Sequence, residues 1–88
     1  MINNKKIIVV LPAYNAAKTL QKTFEEIPFE VVDDVIITDD FSQDNTVTIA
    51  ENIGIKHIIA HDKNKGYGAN QKTCYRKALE LHADIIVL

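Results

Sequence analysis

Four apolar, strand-like runs separated by amphipathic stretches form the main pattern of this sequence. The runs cover residues 7–11, 35–38, 55–60 and 84–88 and are rich in β-branched side chains. They are continuous rather than alternating, which is typical of strands in a parallel sheet whose two faces are covered by helices. The pattern therefore predicts an α/β fold with a Rossmann-like three-layer αβα arrangement around a parallel sheet.

Three helices are predicted between these strands. The first is expected to have Asn15 as its N-cap and to run through Glu26. The second is expected to begin near Asp44, whose carboxylate can accept from free helix N–H groups, and to close at Gly54 in a left-handed cap. The third is expected over residues 69–82. This alternation predicts repeated βαβ units.

The length of 88 residues allows at most one domain, with a thin core. The fourth apolar run ends the sequence at Leu88, and no helix follows it. We therefore expect residues 1–88 to form a single partial domain, truncated after the fourth strand.

Composition and charge are those of an ordinary globular protein, with 47% hydrophobic residues, 25% charged residues and a net charge of −2. The charge is unevenly distributed, because residues 56–77 carry six Lys or Arg against one Asp. This stretch could serve an anionic ligand or be a solvated helix face, and charge alone favours the solvated face. No nucleic-acid partner is predicted.

Cysteine usage and the N-terminus predict the compartment. The single cysteine, Cys74, cannot form an internal disulfide, which fits a reducing cytosol. The first apolar run is too short for a secretion signal or a membrane span. We expect a cytoplasmic protein with no membrane segment in this chain, located at the cytoplasmic face of a membrane if the full-length protein is membrane-bound.

Candidate binding residues fall after the first three strands. They are the loop at 12–15, the Asp39–Asp40 pair and the glycine-containing loop at 65–68. Ligands of open parallel sheets bind outside the carboxyl ends of the strands, where these loops meet helix N-termini. We therefore expect the three features to share one edge of the sheet.

Tyr14 and the Asp39–Asp40 pair each have a binding interpretation and a structural one. Tyr14 offers a face on which a nucleobase could stack, or it covers the end of the sheet, and spacing does not separate the two. Asp39 could accept from a base N–H or from ribose hydroxyls. One aspartate of the pair is expected merely to cap the following helix.

The glycine loop also has two interpretations. Gly66 and Gly68 could let backbone N–H groups approach a diphosphate, with Lys63 or Lys65 adding positive charge. Two glycines one residue apart are more often just a turn.

Other nucleotide and metal motifs are missing. The first loop has no glycine, so the G-x-G-x-x-G pattern of dinucleotide-binding domains is not met, and no P-loop motif occurs. His57, His61 and His82 lack zinc-ligand spacing, and Cys74 lies alone on a predicted helix. These four side chains are interpreted as structural or exposed.

Three motifs together resemble a known family. They are LPAYN at 11–15, IITDDFSQDNT at 36–46 and NKGYGA at 64–69. In this order they resemble the N-terminal half of a family 2 glycosyltransferase of the GT-A fold, similar to the polyprenyl- or dolichyl-phosphate sugar transferases. The resemblance covers essentially the whole chain.

The resemblance implies a pocket for a UDP- or GDP-linked sugar, and it implies transfer of that sugar to a lipid-phosphate or saccharide acceptor, with inversion by direct displacement. It implies Mg²⁺ or Mn²⁺ in the full-length enzyme, on an acidic motif expected just after the fourth strand. No catalytic or metal-ligating residue is assigned in this chain, which is expected to be inactive alone. The implied binding residues are Pro12, Ala13, Tyr14, Asn15, Asp39, Asp40, Lys65, Gly66 and Gly68.

Two positions depart from the family pattern. Ala16 stands where many lipid-phosphate relatives have Glu, which leaves the subgroup open. Phe41 stands where Gly is common, so the turn after Asp40 is expected to tolerate a side chain. The alternative hypothesis is a non-catalytic nucleotide-binding module, or one that self-associates through an exposed strand edge.

Overall fold

The computed structural model describes all 88 residues and contains four strands and three helices in alternating order. The predicted three-layer α/β arrangement around a parallel sheet is confirmed. The elements are β1 (Ile7–Ala13), α1 (Leu20–Glu25), β2 (Asp34–Asp39), α2 (Thr46–Asn52), β3 (His57–Ala60), α3 (Tyr67–Glu80) and β4 (Ile85–Val87).

The strand order places a crevice beside β1. All four strands are parallel, in the order β3-β2-β1-β4. The chain first moves outward from β1 through β2 to β3, and then crosses back to pair β4 with the other side of β1. The order of strands thus reverses between β1 and β4, which is the position where open α/β sheets bind ligands.

The two faces of the sheet are covered by different helices. Successive strand side chains point to opposite faces. Odd-numbered residues of β1 and β2, such as Val9 and Ile37, belong to the larger core cluster, together with Leu20 of α1 and Ala50 of α2. Even-numbered residues of β1 and β2 belong to a smaller cluster with α3, whose buried members are Ile8, Val10, Ile36, Cys74 and Ala78.

Two helices end in the same left-handed cap. Gly54 follows α2 with φ of +94°, its N–H donates to Glu51, and the N–H of Ile55 donates to Ala50. This confirms the left-handed closure predicted at Gly54. His82 takes the same position after α3 with φ of 64°, although it carries a Cβ.

The prediction that Pro12 and Ala13 lie in a loop is wrong. Both belong to β1, where they pair with Thr38 and Asp39. The carbonyl groups of Ile7 and Ala13 accept from the β2 side, so the even-numbered residues of β1 turn their backbone groups to the other side. Pro12 lacks an N–H on that side, where β4 pairs only as far as Val9, so the proline breaks no ladder bond.

The prediction that Asn15 is the N-cap of the first helix is also wrong. Helix α1 begins at Leu20 with Thr19 as its N-cap. Asn15 has φ of 50°, and its side-chain oxygen accepts from the N–H of Gln43. The side chain that was expected to cap a helix therefore joins two loops instead.

The ends of β3 and α3 also differ from prediction. Ile55 serves the cap of α2, so β3 begins only at His57. Gly66 has φ of +93° and is the N-cap of α3, which begins at Tyr67 rather than at residue 69. Gly68 therefore lies in the first helical turn and not in the preceding loop.

Candidate functional site at the carboxyl edge of the sheet

The loops after β1, β2 and β3 lie side by side at the carboxyl edge of the sheet. The N–H of Asp40 donates to Ala13 at 2.9 Å, and the N–H of His61 donates to Asp39 at 2.8 Å. These two bonds continue the ladder one step past the strands. The edge shared by the three sequence features is therefore present in the structure.

The loop after β1 is fixed by the loop after β2. The N–H of Asn15 donates to the hydroxyl of Ser42 at 2.8 Å, and the N–H of Gln43 donates to the side-chain oxygen of Asn15 at 2.8 Å. The N–H of Ala16 donates to the hydroxyl of Thr46 at 2.9 Å. The amides of Asn15 and Ala16 are thus occupied, and the preceding Tyr14 is half exposed on a fixed loop.

The carboxylate of Asp39 serves the turn that follows it. It is buried, and its two oxygens accept from the N–H of Ser42 at 2.9 Å and from the Ser42 hydroxyl. The Ser42 hydroxyl also accepts from the N–H of Asn15, so Ser42 links Asp39 to the loop after β1. A role for Asp39 in contact with a base or ribose stays a prediction.

The carboxylate of Asp40 serves the glycine loop on the other face of the sheet. One oxygen accepts from His61 Nδ1 at 2.9 Å and from the N–H of Lys65 at 2.8 Å. The other accepts from the N–H of Gly66 at 2.9 Å. Burial alone would raise the pKa of Asp40, but these hydrogen bonds outweigh it and hold the pKa below its ordinary value. Asp40 is therefore an ionised and fully paired buried group.

A cavity of about 180 Å³ opens between these loops. It brings together five of the nine predicted binding residues, and it leaves Asn15, Asp39, Lys65 and Gly68 outside its lining. Its lining consists of Pro12, Ala13, Tyr14, Asp40, Asn64, Gly66, Tyr67 and Asn70.

Asn64, Tyr67 and Asn70 are lining residues that the sequence analysis missed. Asn70 is buried, and its amide nitrogen donates to the carbonyl of Thr38 at 2.9 Å and to that of Ala13 at 3.4 Å. It therefore holds the ends of β1 and β2 together beneath the cavity. The sequence does contain a signal for Asn70. It lies four residues before Cys74, and this spacing places both side chains on the same, buried face of α3.

A second, apolar groove of about 430 Å³ adjoins this cavity. The two share Pro12, Ala13 and Tyr67, so the exposed Tyr67 ring lies between them. A third cavity, of about 200 Å³, contains Val35, Ile55 and His57 and thus lies at the opposite edge of the sheet. Only the first two cavities adjoin the predicted binding residues.

Positive charge beside the first cavity comes from the loop before α3. Lys63 and Lys65 are exposed, and neither ammonium group forms an ion pair within the chain. No side chain caps α3, so the N–H groups of Tyr67, Gly68 and Ala69 have no acceptor. These groups could meet an anionic ligand.

The residues present do not form a metal site. No group of three or more His, Cys, Asp or Glu side chains is arranged to hold an ion. The carboxylates of Asp39 and Asp40 are already paired with protein donors. We therefore assign no step of chemistry to a metal on these residues.

Comparison with known proteins identifies the family. The family model described as glycosyl transferase family 2 matches residues 8–83, which include all three helices, β2, β3 and all of β1 except Ile7, and end just before β4. The chain belongs to glycosyl transferase family 2. The resemblance found in the three motifs is thereby confirmed.

Two relatives of this family 2 chain align along almost its full length. A UDP-N-acetylglucosamine--dolichyl-phosphate N-acetylglucosaminyltransferase of Methanococcus voltae is 34% identical over an alignment of 100 positions, which covers 96% of the chain and 40% of the relative. The uncharacterized protein MJ1222 of Methanocaldococcus jannaschii is 33% identical over 86 residues, covering 98% of the chain and 35% of the relative. The chain thus spans about two fifths of the length of these relatives or less. None of its helices has the length and apolar character needed to cross a bilayer.

Proposed function

We propose that these 88 residues form the part of a family 2 glycosyltransferase that binds the nucleotide-diphosphate sugar. The observation that carries the proposal is the cavity at the carboxyl edge of the sheet, where the loops after β1, β2 and β3 converge. This is the location expected for a nucleotide in a parallel α/β sheet. The cavity is smaller than the roughly 300 Å³ of a complete small-molecule site. It therefore suits one part of an extended ligand whose remainder lies along the adjoining groove.

Binding roles follow from exposure and charge. Tyr14 is half exposed on a fixed loop and is proposed to stack on the base. Asp39 is proposed to accept from the base or ribose, in exchange for one of its bonds to Ser42. The amides at the start of α3 and the ammonium group of Lys65 are proposed to lie beside the diphosphate.

The relative from Methanococcus voltae refines the proposed substrates. Its name specifies a UDP-linked sugar and a dolichyl-phosphate acceptor. We therefore propose UDP as the nucleotide and a polyprenyl-type lipid phosphate as the acceptor of the whole enzyme. The 88-residue chain alone is expected to bind the donor without transferring its sugar, and none of its residues is assigned the chemical step.

The test measures thermal stabilisation of the chain by UDP, GDP and CMP, each with and without Mn²⁺. A ligand at one hundred times its Kd stabilises by about 2.7 kcal/mol. We expect UDP to stabilise more than GDP and CMP, without dependence on Mn²⁺. No stabilisation by any of the three nucleotides would contradict the proposal, and a strong Mn²⁺ requirement would show that a metal binds residues of this chain.

Tyr14→Ala tests the base contact directly. Loss of base stacking costs roughly 1–3 kcal/mol, so UDP affinity should fall about 5- to 150-fold. Tyr75→Ala is the matched control, because Tyr75 is also partly exposed but lies on α3 outside the cavity. Equal affinities of the two variants would remove Tyr14 from the site.

The alternative of a self-associating module has one supporting observation. Ile85 and Val87 are exposed on β4, which is an edge strand with unpaired backbone groups. Light scattering over a concentration series distinguishes a defined dimer from a monomer. A stable dimer together with no nucleotide binding would favour this alternative.

A further inference from the structure

His61 occupies a position that the proposed nucleotide contacts do not use. It directly follows β3, and its ring is buried between Asp40 and the third helix. Its Nδ1 lies 2.9 Å from a carboxylate oxygen of Asp40, and its Nε2 lies 2.8 Å from the hydroxyl of Thr73. The ring thus connects the end of β2 to α3.

The chemistry of the Asp40 carboxylate determines the role of His61 Nδ1. An ionised carboxylate only accepts, so Nδ1 of His61 carries a proton and donates it to Asp40. His61 Nε2 lies next to the Thr73 hydroxyl, whose single proton is donated either to Nε2 or to the carbonyl of Ala69. The Thr73 oxygen also lies 3.1 Å from the carbonyl of Ala69 in the first turn of α3. A continuous chain of polar contacts therefore runs from the carboxylate to the start of the helix.

The same carboxylate holds the glycine loop. Asp40 accepts from the amides of Lys65 and Gly66, the two residues immediately before α3. These amides are directed inward to Asp40, whereas those of Tyr67, Gly68 and Ala69 have no acceptor. Asp40 thus determines which amides of this segment remain for a ligand.

We propose that His61, acting through Asp40 and Thr73, is a positioning residue that holds the 64–66 loop and the start of α3 in the arrangement that receives the diphosphate of the donor. The proposal rests on the proposed function, because it assigns the phosphates to this loop. His61 does not touch the ligand. It keeps Asp40 in place, and Asp40 keeps the loop amides turned inward.

The first test needs no ligand. His61→Phe keeps the ring volume but removes both polar contacts, and His61→Asn keeps a donor that can reach Asp40. In His61→Phe we expect amide exchange of Lys65 and Gly66, measured by NMR, to become about tenfold faster or more, because a charge-assisted hydrogen bond that orients their acceptor is lost. His61→Asn should retain most of the protection. Unchanged exchange in His61→Phe would overturn the proposal.

A matched control lies at the other end of the same strand. His57 faces Asp34 with its Nε2 at 3.5 Å from the carboxylate, so it is a second His–Asp pair, located at the opposite edge of the sheet. His57→Phe should leave the exchange of Lys65 and Gly66 unchanged. Faster exchange in both variants would mean general destabilisation and would overturn a specific role for His61.

The second test separates phosphate from base recognition. We expect His61→Phe to weaken UDP binding about tenfold, which corresponds to the free energy of one charge-assisted hydrogen bond. Uridine binding should stay unchanged, because uridine has no phosphate. A purely structural role would lower both affinities together, and an unchanged UDP-to-uridine ratio would therefore overturn the proposal. If the wild-type chain binds neither UDP nor uridine, the proposed function fails. If the wild-type chain binds UDP but His61→Phe has the same UDP-to-uridine affinity ratio, only the positioning role fails.

A milder variant covers the case in which His61→Phe does not fold. Thr73→Val replaces the hydroxyl with a methyl group of similar size, at a half-buried position on α3. It should shift the UDP-to-uridine ratio in the same direction, and Thr73→Ser should restore it. Equal ratios for the Val and Ser variants would contradict the polar chain.

Discussion

Asp39 and Asp40 are adjacent in sequence but serve opposite faces of the sheet. Side chains alternate along a strand, so Asp39 points to the face of α1 and α2, and Asp40 points to the face of α3. Asp39 consequently orders the turn at Ser42, whereas Asp40 orders the amides of Lys65 and Gly66. The pair fixes two neighbouring loops of one candidate site.

The low pKa of Asp40 predicts how stability depends on pH. Its pKa is below the ordinary value of about 3.9, so its contribution to stability is present above pH 4 and is lost as the pH falls through the lower folded-state pKa. Asp40→Asn should lose about 2 kcal/mol or more of stability at neutral pH. In urea titrations the gap between wild type and variant should shrink as the pH falls from 5 towards 2. A gap that stays constant over this range would contradict the pairing of Asp40.

Phe41 carries backbone strain next to this pair. It has φ of 65°, so the turn after Asp40 holds a side chain, but in a left-handed conformation that is strained for a residue with a Cβ. The Phe41 ring is half exposed, so the loss of the ring should cost little. Phe41→Gly should therefore be more stable than Phe41→Ala by about 1 kcal/mol, because both lack the ring but only Gly lacks the Cβ. Equal urea midpoints for the two variants would contradict the strain.

At the scale of secondary-structure elements, the sequence predicted the existence and order of strands and helices better than it predicted their ends. Continuous β-branched runs correctly predicted all four strands, and alternation with helices predicted the parallel sheet. The ends were less predictable. Asn15, which was expected to cap α1, instead accepts from the N–H of the distant Gln43, and no local pattern contains such a contact.

The strand pattern also predicted which loops form the candidate site, but it did not predict the contacts within the site. Strand order along the chain was sufficient to place Tyr14, Asp40 and Gly66 at one edge. It was not sufficient to show that Asp40 uses its oxygens on Lys65, Gly66 and His61, because that depends on the path of the loop after β3.

Helix α3 docks on β1 and β2 through small side chains. Cys74 and Ala78 are fully buried against the sheet, and burial raises the pKa of the Cys74 thiol. Ala78→Leu should overpack this contact and cost about 1–3 kcal/mol. Leu79→Ala is the control on the next residue, where the side chain is 65% exposed, and it should be nearly neutral in urea unfolding. A larger loss for Leu79→Ala would mean that α3 docks by another face.

At the scale of the whole molecule, one sheet presents two edges with different chemistry. The carboxyl edge carries three converging loops, the exposed Tyr14 and Tyr67, and the unpaired amides of α3. The opposite edge has a cavity of similar volume, about 200 Å³, but it is lined by Asp33, Asp34 and two phenylalanines. That lining also includes Lys56 and His57 but no residue from the start of a helix, so the two cavities provide an internal comparison.

Titration of the ¹⁵N-labelled chain with UDP, followed residue by residue by NMR, tests the central claim most directly. We predict that the amide signals of Ala13, Tyr14, Gly66, Tyr67 and Asn70 shift with a common saturation curve. The amides of Val35, Ile55 and His57 at the opposite edge should stay unchanged. Shifts concentrated at Val35, Ile55 and His57, or no shifts at all up to millimolar UDP, would contradict a nucleotide site at the carboxyl edge.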